Sequence, residues 1–200
     1  MQGLDIDGTF IDEKTPIEHS VRCNSLIMIK TLALSGAQVN DTIERDYNHS
    51  KPIHSIDYKW QEDRIINTLR ILIKLGADPN AVQKSWYEWD MTTSTPLHTA
   101  ASHGCDLAIR TLVELGANIN QTVIQFDGNS TPLHKAIKQG RFKAVQTLIE
   151  LGADPFSINL YGQNALALAM KMKKDDENRG VYSNPLKDII SFLEQVMKKT

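Results

Sequence analysis

Cysteine is scarce in this chain: of its 200 residues only Cys23 and Cys105 carry a thiol, and they form no CxxC pair. A disulfide framework or a cysteine-rich zinc site is therefore not expected, and a reducing, cytoplasmic setting fits the composition. Net charge is also slight, −2 from 22 basic and 24 acidic residues. Without a strongly basic face the chain offers little to a phosphate backbone, so nucleic acid is not an expected partner. Long apolar runs are missing as well. No stretch approaches the roughly eighteen apolar residues of a membrane span, and Met1 to Phe10 carry acids where a secretory signal needs bases and an apolar core. No membrane partner is expected, and the chain reads as soluble and long enough to bury a continuous core without staples.

What the sequence does contain is a copy of itself. Thr95-Pro96-Leu97-His98-Thr99-Ala100-Ala101 returns as Thr131-Pro132-Leu133-His134-Lys135-Ala136-Ile137, with weaker copies at Thr15-Pro16-Ile17 and Lys51-Pro52-Ile53-His54. A second landmark follows each start: Ser35-Gly36-Ala37-Gln38-Val39-Asn40, Leu75-Gly76-Ala77-Asp78-Pro79-Asn80, Leu115-Gly116-Ala117-Asn118-Ile119-Asn120 and Leu151-Gly152-Ala153-Asp154-Pro155. Pro16 to Gly36, Pro96 to Gly116 and Pro132 to Gly152 are each 20 residues apart, whereas Pro52 to Gly76 is 24. The second copy therefore carries four extra residues.

Each landmark has a physical reason. Proline suits the first helical turn, where its missing N–H would be unpaired anyway, and the preceding threonine can cap that turn. Gly104 and Gly140 fall where a short first helix must end, and Gly76, Gly116 and Gly152 suit the left-handed residue that closes a second one. In the second helices Ala108, Ile109, Leu112, Val113 and Ala144, Val145, Leu148, Ile149 make a single apolar stripe. One helical pair cannot bury that stripe alone, so the pairs must stack as a solenoid with nearest-neighbour contacts.

TPLHxAA followed by LGADPN resembles the ankyrin repeat family, whose period is about 33 residues. The resemblance covers Thr15 to Lys199 if a fifth copy begins near Asn159, with Asn164-Ala165 in place of Thr-Pro. The expected architecture is an all-α solenoid of about five helix-turn-helix repeats, near 15–50, 51–94, 95–130, 131–162 and 163–200, after an N-terminal segment 1–14. Insertions are expected near 58–61, 81–94 and 171–184. The charged run Lys171 to Arg179 is expected to interrupt the fifth repeat, whose last amphipathic segment (Leu186, Ile189, Ile190, Leu193, Val196) reads as a C-terminal cap. Glu18-His19-Ser20 replaces His-x-Ala in the first repeat, which fits a cap at the other end.

Few residues invite chemistry. Leu4-Asp5-Ile6-Asp7-Gly8-Thr9 looks like the DxDGT motif of haloacid-dehalogenase-type phosphatases. That motif needs an apolar strand before the first aspartate and alternating strands and helices after it, and neither is present in the pattern. His54, His98 and His134 recur once per repeat, but successive repeats would hold them about 10 Å apart, too far to share a metal at about 2 Å. The family resemblance gives them a structural role, hydrogen-bonding near the start of each first helix. His103 reads as solvated. Cys105 falls in the turn between two helices, and a nucleophile reading has little support there. No catalytic residue, metal or cofactor is expected.

The resemblance implies binding of a partner protein or an extended peptide, as in cytosolic adaptors and in effectors that microbes send into host cells. Two surfaces are candidates. The connection from Asn80 to Ser94 holds Trp86, Tyr87, Trp89 and Met91, and the second insertion holds Tyr58 and Trp60. Large aromatics are enriched at binding hot spots, yet the same rings can fold back to roof a gap left by the insertions. Both readings stay open. The concave face that the resemblance implies would carry Thr99, Ser102 and His103, then Lys135, Lys138 and Gln139, with Arg141 and Lys143 nearby. Tyr47, Phe126 and Tyr161 are lesser candidates at other turns. A monomer is the expected state; self-association through the Trp-rich finger is the alternative.

Overall fold

The computed structural model describes residues 15–40, 51–87, 90–124, 130–180 and 184–199; at 85–87, 90, 91 and 184 it describes the backbone alone. Paired helices follow one another in the order the repeats require: α1 (Pro16–Arg22) with α2 (Leu26–Leu34), α4 (Pro96–His103) with α5 (Asp106–Glu114), α6 (Pro132–Lys138) with α7 (Phe142–Glu150), and α8 (Ala165–Asn178) with α9 (Asn184–Met197). In the second repeat a single 3-10 turn, Pro52–Ser55, precedes α3 (Glu62–Lys74). First helices pack on first helices (α4 on α6, α6 on α8). Second helices pack in a parallel row, α2, α3, α5, α7, α9. A small antiparallel hairpin, β1 (Gln83–Tyr87) and β2 (Asp90–Ser94), joins the second and third repeats.

The helix starts follow from the threonines. Thr15, Thr95 and Thr131 are extended residues whose hydroxyls accept the N–H of Glu18, His98 and His134. In α1 the Glu18 carboxylate accepts the Thr15 N–H in return, so Glu18 does at the N-cap what histidine does in the later repeats. The helix ends follow from glycine: Gly104 and Gly140 close α4 and α6 at φ +76° and +62°.

One continuous core runs through the stack, from Ile17 and Ile29 through Leu69, Leu72, Leu97, Ile109 and Leu112 to Leu148, Ile189 and Leu193. Two polar ladders lock its register. His98 Nε2–H donates to the Ser130 carbonyl (3.0 Å), so its Nδ1 is the lone-pair nitrogen and accepts from the Thr95 hydroxyl (2.7 Å). His54 does the same between the Lys51 N–H and the Ala81 carbonyl. Each ring thereby ties the start of its own first helix to a finger. In the turns, Asn40, Asn80 and Asn120 accept the N–H of Asp78, Asn118 and Asp154, each one repeat further on. The equivalent residue of the fourth repeat is Phe156, and there the asparagine ladder stops.

Two expectations are corrected. The charged run does not interrupt the fifth repeat: α8 continues through it to Asn178. Its later turns carry the i,i+4 pair Lys173–Glu177, and the Arg179 guanidinium reaches back to Asp176. The second repeat is not a full helical pair. Ile56 turns extended after one 3-10 turn, Asp57 accepts the Lys59 N–H in an Asx turn, and Tyr58 enters the core.

Candidate functional site

The Asn159–Gln163 turn, between α7 and α8, is built to hold its shape. The Asn159 carboxamide oxygen accepts the N–H groups of Tyr161 (2.9 Å) and Gln163 (3.0 Å), while its amide donates to Gln163 Oε1. The Asn159 N–H donates to the Gln163 carbonyl, and Gly162 supplies the left-handed residue that closes the turn. The buried asparagine leaves Leu160 and Tyr161 outside, 68% and 61% exposed. Phe156 and Ile158 extend this apolar ribbon.

Beneath the turn lies a groove of about 330 Å³, lined by Lys138 of α6, by Asn159, Tyr161 and Gln163, and by Leu168, Lys171, Met172 and Asp175 of α8. The extra length of α8 supplies its wall, and the Lys171 ammonium sits 5.6 Å from the centre of the Tyr161 ring. Two cations, one carboxylate, an aromatic ring and two aliphatic side chains thus converge on one cleft.

The residues singled out from sequence fall in different places. Lys138 and Tyr161 meet in this groove. Gln139 is exposed at the end of α6 and Lys135 is half-buried on it. Thr99 bonds the Ser94 hydroxyl and the Thr95 carbonyl, and the Ser102 hydroxyl donates to the Thr99 carbonyl. Arg141 and Lys143 are engaged between repeats: Arg141 Nε donates to the Ser102 carbonyl (2.9 Å), and Lys143 pairs with Asp106 of α5 at 2.7 Å.

Tyr58 and His103 are placed differently from the expectation. Tyr58 is only 8% exposed, and its hydroxyl donates to the Pro96 carbonyl at 3.2 Å. Burial, with a smaller contribution from Cys105, holds the phenol well above its ordinary pKa, so it remains a donor. Its ring stacks on His103, centroids 5.5 Å apart, so His103 is not simply solvated. Trp60 is half-buried against the core. Tyr58 thus packs beside α4, which supplies both Pro96 and His103.

Trp86, Tyr87 and Met91 are described as backbone of the hairpin, which is anchored to the next finger through Thr93 and Ile124: the Thr93 N–H donates to the Ile124 carbonyl at 2.8 Å. Trp89, Phe126, Tyr47 and the aspartates Asp5 and Asp7 lie outside the described residues. Cys105 is buried where α5 begins, and desolvation pushes its thiol pKa up, away from a reactive thiolate. Among the described residues no helix is long and apolar enough to cross a membrane.

Sequence reasoning missed Phe156, Ile158 and Leu160. Their signal was available as a substitution: the fourth copy reads Asp154-Pro155-Phe156 where the second reads Asp78-Pro79-Asn80. An asparagine that would bind the following turn is replaced by an apolar ring.

Compared with known families, residues 58–159 match the family described as ankyrin repeats (3 copies). The chain belongs to the ankyrin repeat family, whose members are generally protein–protein interaction modules and typically not enzymes. The ladders and the stacked helices are the scaffold of such a module.

Proposed function

We propose that this chain is a non-enzymatic adaptor working in a reducing, cytoplasmic setting, and that it takes an extended segment of a partner protein into the groove between the Asn159–Gln163 turn and α8. The observation that carries this reading is the exposed Leu160–Tyr161 pair, held by the buried Asn159 above a cleft bordered by the Lys171 ammonium. A ring fixed before binding loses little conformational freedom on association, and exposed apolar groups beside cations suit a peptide that alternates apolar and acidic side chains. Thr99, Ser102, Lys135 and Gln139 extend the contact along the first helices. The Trp-rich hairpin, with Trp86, Tyr87, Trp89 and Met91, is the second docking element. Tyr58 has no part in it, because its ring is in the core.

A random peptide library displayed on phage tests the reading. Selected peptides should carry an acidic residue next to an apolar one, and Tyr161→Ala should weaken them at least about tenfold, the size of a modest hot spot. Lys171→Glu should reverse the charge preference. Selection that is indifferent to both changes but lost with Trp86→Ala would move the site to the hairpin.

A further inference from the structure

The first repeat departs from the histidine ladder, and the departure leaves an imidazole outside the stack. Glu18 stands at the position of His54, His98 and His134, and the next residue, His19, is exposed on α1. One turn further on Cys23 is exposed as well, whereas Cys105 is buried. The Cys23 N–H donates to the His19 carbonyl at 2.9 Å, so the two residues keep helical spacing, and i and i+4 share one face. Their side chains meet: Cys23 Sγ lies 3.5 Å from His19 Nε2.

That separation is also the edge of a metal polyhedron. With Zn–S bonds of about 2.3 Å and Zn–N bonds of about 2.0–2.1 Å at the tetrahedral angle, neighbouring sulfur and nitrogen donors stand about 3.6 Å apart. Thiolate and imidazole are both donors that suit zinc. His54 and His98 are not available for this role, because both ring nitrogens of each are used within the stack. A chain with only two cysteines excludes a four-thiolate site but not one with a single thiolate.

We propose that His19 and Cys23 form a two-donor site for zinc or a similarly thiophilic divalent ion. Cys23 binds as the thiolate, its proton passing to solvent, and His19 binds through Nε2. Among the described residues no group of three histidine, cysteine or carboxylate side chains is placed to hold an ion, so two positions of a tetrahedral ion are left to water or to a donor from a docked protein. Counted from the capping threonine, the pair occupies the positions of Thr99 and His103 in the third repeat and of Lys135 and Gln139 in the fourth. It thus belongs to the row of first helices, where an ion is open to a partner's side chain. With half the donors of a structural zinc site, the affinity is roughly micromolar or weaker.

Cobalt(II), whose bond to thiolate absorbs in the near ultraviolet, provides the test on the full chain under reducing conditions. The charge-transfer band should saturate at one ion per chain and disappear when zinc is added. Cys23→Ser should abolish it, His19→Ala should weaken binding at least about tenfold, and Cys105→Ser should leave it unchanged. Circular dichroism should be the same for the parent and for the two α1 variants, since both side chains are exposed. No band at millimolar cobalt, a band that survives Cys23→Ser, or equal affinity in His19→Ala overturns the proposal.

Discussion

On acidification from pH 7 to pH 4 the chain should lose roughly 3 kcal/mol of stability for each of His54 and His98. Burial lowers both pKa values from 6.5 to about 4, against the opposing pull of the hydrogen bonds to Ala81 and Ser130. The folded state thus keeps both rings neutral while the unfolded chain protonates them near 6.5. Between these values the unfolded state binds more protons, so stability rises with pH. The contribution is complete above about pH 6.5, declines as pH falls toward 4, and then levels off. Protonation would also remove the lone pair on Nδ1 that accepts from Thr95 in the third repeat and from the Lys51 N–H in the second. Urea midpoints at pH 7, 5.5 and 4.5 measure the slope, and NMR titration of the imidazoles locates the two pKa values. Rings that titrate near 6.5 in the folded protein would contradict their placement in the ladder.

Tyr58→Ala should destabilise the chain by about 3–5 kcal/mol, the range for deleting a buried ring. The ring packs beside α4, and the second repeat has one 3-10 turn instead of a first helix. Its loss leaves a cavity under His103 and removes the second hydrogen bond to the Pro96 carbonyl. Tyr58→Phe separates these effects: it keeps the stack on His103 and should cost only about 1 kcal/mol for the lost hydrogen bond. Equilibrium urea unfolding reads both variants. A Tyr58→Ala protein as stable as the parent would return this tyrosine to the surface, where the aromatic-rich insertion suggests it by composition alone.

The contrast shows what was legible in the sequence. Pro16, Pro96 and Pro132 with their threonines, and Gly76, Gly116 and Gly152, report local backbone requirements, so the helix boundaries could be read residue by residue. The histidine role came from family resemblance and from spacing too wide for a shared metal; the ring's reach to the next finger needs the fold. Tyr58 could not be assigned because its environment is made by Pro96 and His103, some 40 residues away, and exposure of an aromatic ring has no local signature. The run Lys171 to Arg179 misled for a related reason. Charges suggest solvated loop, but KMKKDDEN consists largely of good helix formers and places Lys173 four residues before Glu177. The groove was half legible: Lys138 and Tyr161 were marked separately, and the long α8 brings them to one cleft.

Phe156, where the asparagine ladder ends, has a consequence for how the chain opens. Repeats one to four are cross-linked turn to turn by Asn40, Asn80 and Asn120, whereas α8 and α9 are held chiefly by packing on α6 and α7. Amide exchange should accordingly divide the chain into a slow block up to α7 and a faster unit made of the last two helices. The groove lies on that seam. A segment bound there would bridge the two units, and its capture would register as slowed exchange throughout α8 and α9, well beyond the residues it touches.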